Sequence, residues 1–137
     1  MSKKKYQKIR TKEQAISEAF RYLANAKETL SRIPIEHGKV YSDSKYVREA
    51  SGIAYLAPLR AIDGYLLDKG THPDKLPNSI DDYWDVLNKM DNSGVLKANL
   101  HVVYESLHLS AYYRGSIDVQ MVKSGMQSAR EIVNLLK

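Results

Sequence analysis

The sequence has no cysteine. Disulfides and thiolate-ligated zinc are therefore excluded, and a reducing compartment is favoured. Glycine and proline are scarce, at 7 and 4 residues, too few for a collagen-like or low-complexity chain. No apolar run approaches the roughly 20 residues that span a bilayer. The opening MSKKKYQKIRTK is basic with no apolar segment behind it, so it does not read as a signal peptide. A cytoplasmic protein is expected. The phosphate-cradling patterns GxGxxG and GxxxxGK[ST], the Gly-x-Ser-x-Gly elbow and HExxH are all missing. No stretch alternates apolar and polar residues convincingly enough for a strand.

A chain of 137 residues is the size of one domain with a core of its own. Its net charge of +5 suggests nucleic acid until the charges are located. Residues 1–12 hold Lys3, Lys4, Lys5, Lys8, Arg10 and Lys12 and no acid. The 21 basic residues less these six leave 15, against 16 acidic ones, so the body is close to neutral. Residues 1–11 are expected to be a basic flexible tail, capable of weak, salt-sensitive contact with phosphate. Residues 12–137 are expected to be a single helical domain.

Helical period dominates that domain. Ile16, Ala19, Phe20, Leu23, Ala26 and Leu30 recur at three- and four-residue steps, after Thr11 as cap and Gln14 as its capping-box partner. Pro34 ends this helix near Arg32–Ile33, and residues 34–43 read as a connection. Asp43 or Ser44 opens a second helix to about Leu67, marked by Val47, Ala50, Ile53, Ala54, Ala57, Ala61 and Leu66. Its small residues, Gly52 among them, invite close approach, and Pro58 is expected to kink it rather than end it. Lys69-Gly70 is a stop. Ser79 and Asp82 open a short helix through Tyr83, Trp84, Leu87 and Met90. A long helix from about Val95 to Tyr113 ends at Arg114-Gly115, and Asp118 caps a last one with Met121, Val122, Gly125, Ala129, Ile132 and Val133 in its stripe. Short connections favour antiparallel neighbours. The expected fold is all-α: an up-down bundle of four long helices plus one short helix.

Little here looks like chemistry. The histidines are His37, His72, His101 and His108. Glu105-Ser106-Leu107-His108 is one Glu-x-x-His, but a di-iron bundle needs two with two further inward glutamates. No metal site, cofactor or catalytic residue is assigned. Ten tyrosines stand against one Phe and one Trp. A large apolar face with a polar tip suits bundle boundaries, wet interfaces and base stacking alike.

Two segments carry a resemblance. Residues 50–70, ASGIAYLAPLRAIDGYLLDKG, form an alanine-rich helix ending in Leu-Leu-x-Lys-Gly, followed by Thr-His-Pro and a short helix. Residues 111–136, AYYRGSIDVQMVKSGMQSAREIVNLL, give a Tyr-Arg helix end, a short turn and a final helix with Ala-Arg-Glu-Ile. Together they resemble the HEPN superfamily (higher-eukaryote and prokaryote nucleotide-binding domains) over about two thirds of the chain. The resemblance implies a four- to five-helix up-down bundle that usually forms a homodimer. Some members are RNases that use Arg-x4–6-His. Others lack that pair and act as binding modules or as partners of minimal nucleotidyltransferases.

The RNase spacing occurs once, as Arg32 and His37 in RIPIEH. Seven arginines and four histidines give about 0.6 such matches by chance, and Pro34 breaks the helix between the two. After Arg114, where the resemblance places the motif, RGSIDVQMVK has no histidine. The leading expectation is a non-catalytic HEPN-like binding or interaction module, related to nucleotide or RNA and acting as a homodimer. Its candidate surface gathers Tyr65, Lys69, His72, Tyr112, Tyr113 and Arg114, where the second and fourth helices stop, with Asp118 just beyond as a cap. The alternatives are a metal-independent RNase of the same superfamily, using Arg32/His37 or Arg114 with another histidine, and a structural bundle that mates with another protein.

Overall fold

The computed structural model describes residues 9–137. Most of the basic tail expected over residues 1–11 lies outside them. The first helix, α1 (Lys12–Ser31), starts where the cap chemistry places it. The Gln14 N–H donates to Thr11 Oγ1 at 3.1 Å, and Gln14 Oε1 reaches back to the Arg10 N–H at 2.8 Å, satisfying donors that the first turn leaves over. Ala15, Ala19, Leu23, Ala26 and Leu30 form its buried stripe, while Ile16 and Phe20 are half-buried at its edge.

The connection after Pro34 is more ordered than its sequence suggests. Ile35–Glu36 (β1) and Val40–Tyr41 (β2) pair antiparallel around a tip at His37 and Gly38, both with positive φ. The hairpin is stitched to the segment before the last helix. The Tyr41 N–H donates to Ile117 O and the Val119 N–H to Lys39 O, each at 2.9 Å. Two-residue strands are too short to show a period of two, so the strand-free expectation misses them.

Helix α2 (Ser44–Asp68) is capped by Asp43, whose carboxylate accepts from the Lys45 N–H at 2.9 Å. It continues through the buried Pro58, where the missing N–H leaves Ala54 C=O without its helical donor. The helix packs antiparallel to α1, with Gly64 against Ala15: a Cβ on Gly64 would stand 3.2 Å from that of Ala15. A short 3-10 turn, Pro73–Lys75, leads to α3 (Ile80–Lys89), capped by Ser79 Oγ on the Asp82 N–H at 3.2 Å.

The third long helix changes character midway. It begins as α4 (Gly94–Val103) and continues as a π-helical segment, Tyr104–Tyr113, in which N–H groups bond carbonyls five residues back, as from Arg114 to Leu109 at 3.0 Å. The last helix, α5 (Val119–Leu136), is capped by Asp118 on the Met121 N–H at 2.8 Å. Gly125 lets α5 close on the π segment, since a Cβ there would overlap Ser106 Oγ and Leu107. Leu23, Ile62, Leu87, Leu100, Leu107 and Ile132 are among the largest fully buried side chains, each contributing about 1.5–3 kcal/mol of burial. The protein is the expected all-α up-down bundle of four long helices and one short one, with a two-stranded hairpin as its only sheet among the described residues. No helix among the described residues is long and apolar enough to cross a membrane.

Candidate functional site

The π segment aligns its rings. A turn closed by i→i+5 bonds takes in more residues than the 3.6 of an α-helix, so side chains four apart come nearly above one another. Tyr104, His108 and Tyr112 have this spacing. His108 lies 5.3 Å from Tyr104 and 6.1 Å from Tyr112, centroid to centroid, with interplanar angles of 29° and 14°. From α2, Tyr55 stacks on His108 at 4.5 Å and 23°. Burial pushes the Tyr55 hydroxyl up to about 12, with a smaller contribution from Tyr104. The result is a four-ring ridge along the α2/π-segment groove, in the offset geometries that aromatic rings prefer.

Small residues on α2 seat this ridge. A Cβ on Gly52 would come within 3.0 Å of the Tyr112 ring. One turn earlier, the Arg48 guanidinium lies over Gly115, which holds φ of +78° and has no Cβ to displace it. Arg114 adjoins Gly115, and among the described residues neither Arg48 nor Arg114 has a carboxylate within ion-pair range. Tyr112 is 48% exposed, Tyr113 72% and Ile53 39%. The ridge is therefore closely packed underneath, open on top, and cationic at one end. Glu105, exposed beside Tyr104, marks the other end.

These contacts run antiparallel: Arg48 meets Gly115, Gly52 meets Tyr112, and Tyr55 meets His108. The end of the π segment therefore sits at the start of α2. The six residues expected to gather at one place fall into two groups. Tyr112, Tyr113 and Arg114 are on the ridge. Tyr65, Lys69 and His72 are at the far end of α2, about 20–25 Å away at 1.5 Å per residue. There the Lys69 ammonium lies over the Tyr65 ring at 5.6 Å, and His72 Nδ1 accepts from the Asp74 N–H and caps the 3-10 turn. The physical reason is that α3 is too short to cross the bundle, so α4 starts where α2 ends and returns beside it. Asp118 is a helix cap, as expected.

The other sequence candidates do not converge. Arg32 is held by Glu28 at 2.7 Å on the last turn of α1, whereas His37 sits exposed at the hairpin tip. Arg32 also lines a cleft of about 450 Å³ with Pro34, Asp43, Tyr46 and Glu49. His108 is in the ring ridge and Glu105 points out of the core. Among the described residues, no three His, Asp or Glu side chains come together as a metal site.

Sequence reading missed three parts of this picture: Tyr55, Arg48 and a buried polar knot. The four-residue spacing of Tyr104, His108 and Tyr112 is visible in the sequence, but in the α-helix expected over Val95 to Tyr113 such residues drift round the axis. The knot is at Asp63, 2% exposed on α2. The Tyr83 hydroxyl of α3 donates to its Oδ1 at 2.9 Å, and Arg60 Nε lies 3.2 Å from Oδ2, at ion-pair distance without hydrogen-bond alignment. Burial pushes the Asp63 carboxyl up to about 6, against the downward pull of Arg60 and the Tyr83 hydroxyl. Its sign in the sequence was Arg60 and Asp63, three apart inside the otherwise uncharged run ASGIAYLAPLRAIDGYLL.

Comparison with known proteins gives family without function. No functionally curated protein matches the chain. A solved structure, a protein of unknown function from Dyadobacter fermentans, superposes with a TM-score of 0.75 at 36% identity, covering 92% of this chain and 96% of that one. A family model described as a domain of unknown function, DUF5618, matches residues 14–137, from the first turn of α1 through the last residue. The chain is thus a member of the DUF5618 family.

Proposed function

We propose that this protein is a non-catalytic, HEPN-like binding module that works as a homodimer, two copies pairing across the α2/π-segment ridge. The observation that carries the reading is the ridge itself: Tyr112, a member of the ring stack, is exposed together with its neighbours Tyr113 and Ile53. Exposed aromatic anchors that lose little rotamer freedom on binding are what interface cores favour. The charges support self-pairing. A two-fold axis across the ridge sets the Arg48/Arg114 end of each copy against the Glu105 end of the other, as an isologous interface requires.

A negative charge on the ridge tests this. By sedimentation velocity, wild type is expected as a dimer and Ile53→Glu as a folded monomer. Leu135→Glu, on the exposed flank of α5 (49% exposed), is expected to remain dimeric. A wild-type monomer, or equal effects of both substitutions, overturns the reading.

The arginine end favours a second reading, that the module takes an RNA or nucleotide phosphate. Two guanidiniums without carboxylate partners, beside exposed tyrosine rings, are the elements of backbone clamping and base stacking. Filter retention of single-stranded RNA that falls with salt, and falls further in Arg48→Gln with Arg114→Gln, supports it. The non-catalytic part rests on the separation of Arg32 from His37 and on the sequence after Arg114. Labelled RNA cut by wild type and left intact by His108→Ala or His37→Ala would reverse it.

A further inference from the structure

Helix α3 is the least embedded of the helices. It is a single stretch of ten residues, and only Tyr83 and Leu87 on it are buried. Segments 69–79 and 90–93 tether it, the latter passing through Asn92 at φ of +57°. A cleft of about 510 Å³ separates part of α3 from the end of α2, bounded by Leu66, Thr71, Leu76, Pro77, Asp82, Val86 and Lys89. The buried Tyr83 closes on Asp63, which α2 presents from within the core.

We propose that α3 is a hinged flap whose closure is set by the protonation of Asp63: the flap is shut when the carboxyl holds its proton and loosens when the carboxyl is ionised. A closed flap keeps Asp63 from water, and water is what an ionised carboxylate most needs. Opening α3 withdraws Tyr83 and hydrates the group. The charged and titratable groups facing this site come from three helices. Arg60 of α2 and the Tyr83 hydroxyl of α3 touch Asp63 directly, while Glu18 and Tyr22 of α1 lie within electrostatic reach of Arg60. A single guanidinium and a single hydroxyl do not outweigh burial, which holds the carboxyl up at about 6 against an ordinary 3.8. That difference weakens closure by up to about 100-fold between acid and neutral pH.

The only tryptophan, Trp84, lies half-buried on α3 next to Tyr83, so it reports the flap directly. On raising the pH from about 5 to about 8, Trp84 emission is expected to shift to the red. Its quenching by acrylamide is expected to rise with a midpoint near 6, with the helical circular dichroism nearly constant. Asp63→Asn, which stays neutral, is expected to abolish the transition. Tyr83→Phe and Arg60→Gln each remove a group that favours the ionised form, so both are expected to move the midpoint upward. A flat wild-type profile, or the same transition in Asp63→Asn, overturns the proposal. If Asp63→Asn does not fold, the other two decide it: midpoints unchanged or lowered in both overturn it, and midpoints raised in both uphold it.

Discussion

Asp63 is a carboxyl group whose burial favours its neutral form, and that has a thermodynamic consequence besides the local one. The folded chain binds its proton more tightly than the unfolded chain does, about 6 against 3.8. Its contribution is therefore fully present below about pH 4 and declines as pH rises through about 6, by up to about 3 kcal/mol. The difference in unfolding free energy between wild type and Asp63→Asn, followed by urea titration across that range, should change in this direction and by no more than this amount. Gly125 poses a steric rather than an electrostatic demand. Because a Cβ there overlaps Ser106 Oγ and Leu107, Gly125→Ala is expected to lower stability by about 1–3 kcal/mol through overpacking, read as a lower urea midpoint. An unchanged midpoint would mean that α5 can move away freely.

Single elements follow their local rules closely, and their ends were the most legible features of the sequence. Thr11, Asp43, Ser79 and Asp118 cap the helices that their positions announce, because an Ncap oxygen and a following apolar stripe are both written within a few residues. In the short α3 the cap adds to the hold that the buried Tyr83 and Leu87 provide. Ser79→Ala is expected to cost about 1 kcal/mol and to increase acrylamide quenching of Trp84 at every pH; unaltered quenching would place the hold on α3 elsewhere. The π segment was not legible. Its sequence, YESLHLSAYY, has good apolar spacing for an α-helix, and the wider winding shows only where it meets α5: Ser106 Oγ turns back onto Val102 O at 2.6 Å while Gly125 presses on the same turn. Such tertiary contacts are invisible in a local window. The hairpin at Ile35–Tyr41 escaped because its strands are only two residues long, and the bonds that stitch it to the bundle go to Ile117 and Val119, far along the chain.

The whole molecule was easier to foresee as a bundle than as an arrangement of ends. Four amphipathic stretches and short connections imply antiparallel packing, but which ends meet depends on whether the short helix crosses the bundle. It does not, so Tyr65, Lys69 and His72 are separated from Tyr112, Tyr113 and Arg114. The ridge draws instead on Arg48, Gly52 and Tyr55 from the start of α2. Pairing through that ridge places exposed rings of one copy against those of the other while leaving Tyr65 at a distant end. The tyrosines themselves make the most direct reporters, and no substitution is needed. Hydroxyl-radical footprinting of the wild-type protein over a wide concentration range measures each ring's accessibility. Self-pairing predicts that oxidation of Tyr112 and Tyr113 falls as concentration rises while that of Tyr65 stays constant; rates independent of concentration at Tyr112 and Tyr113, or protection confined to Tyr65, would contradict it.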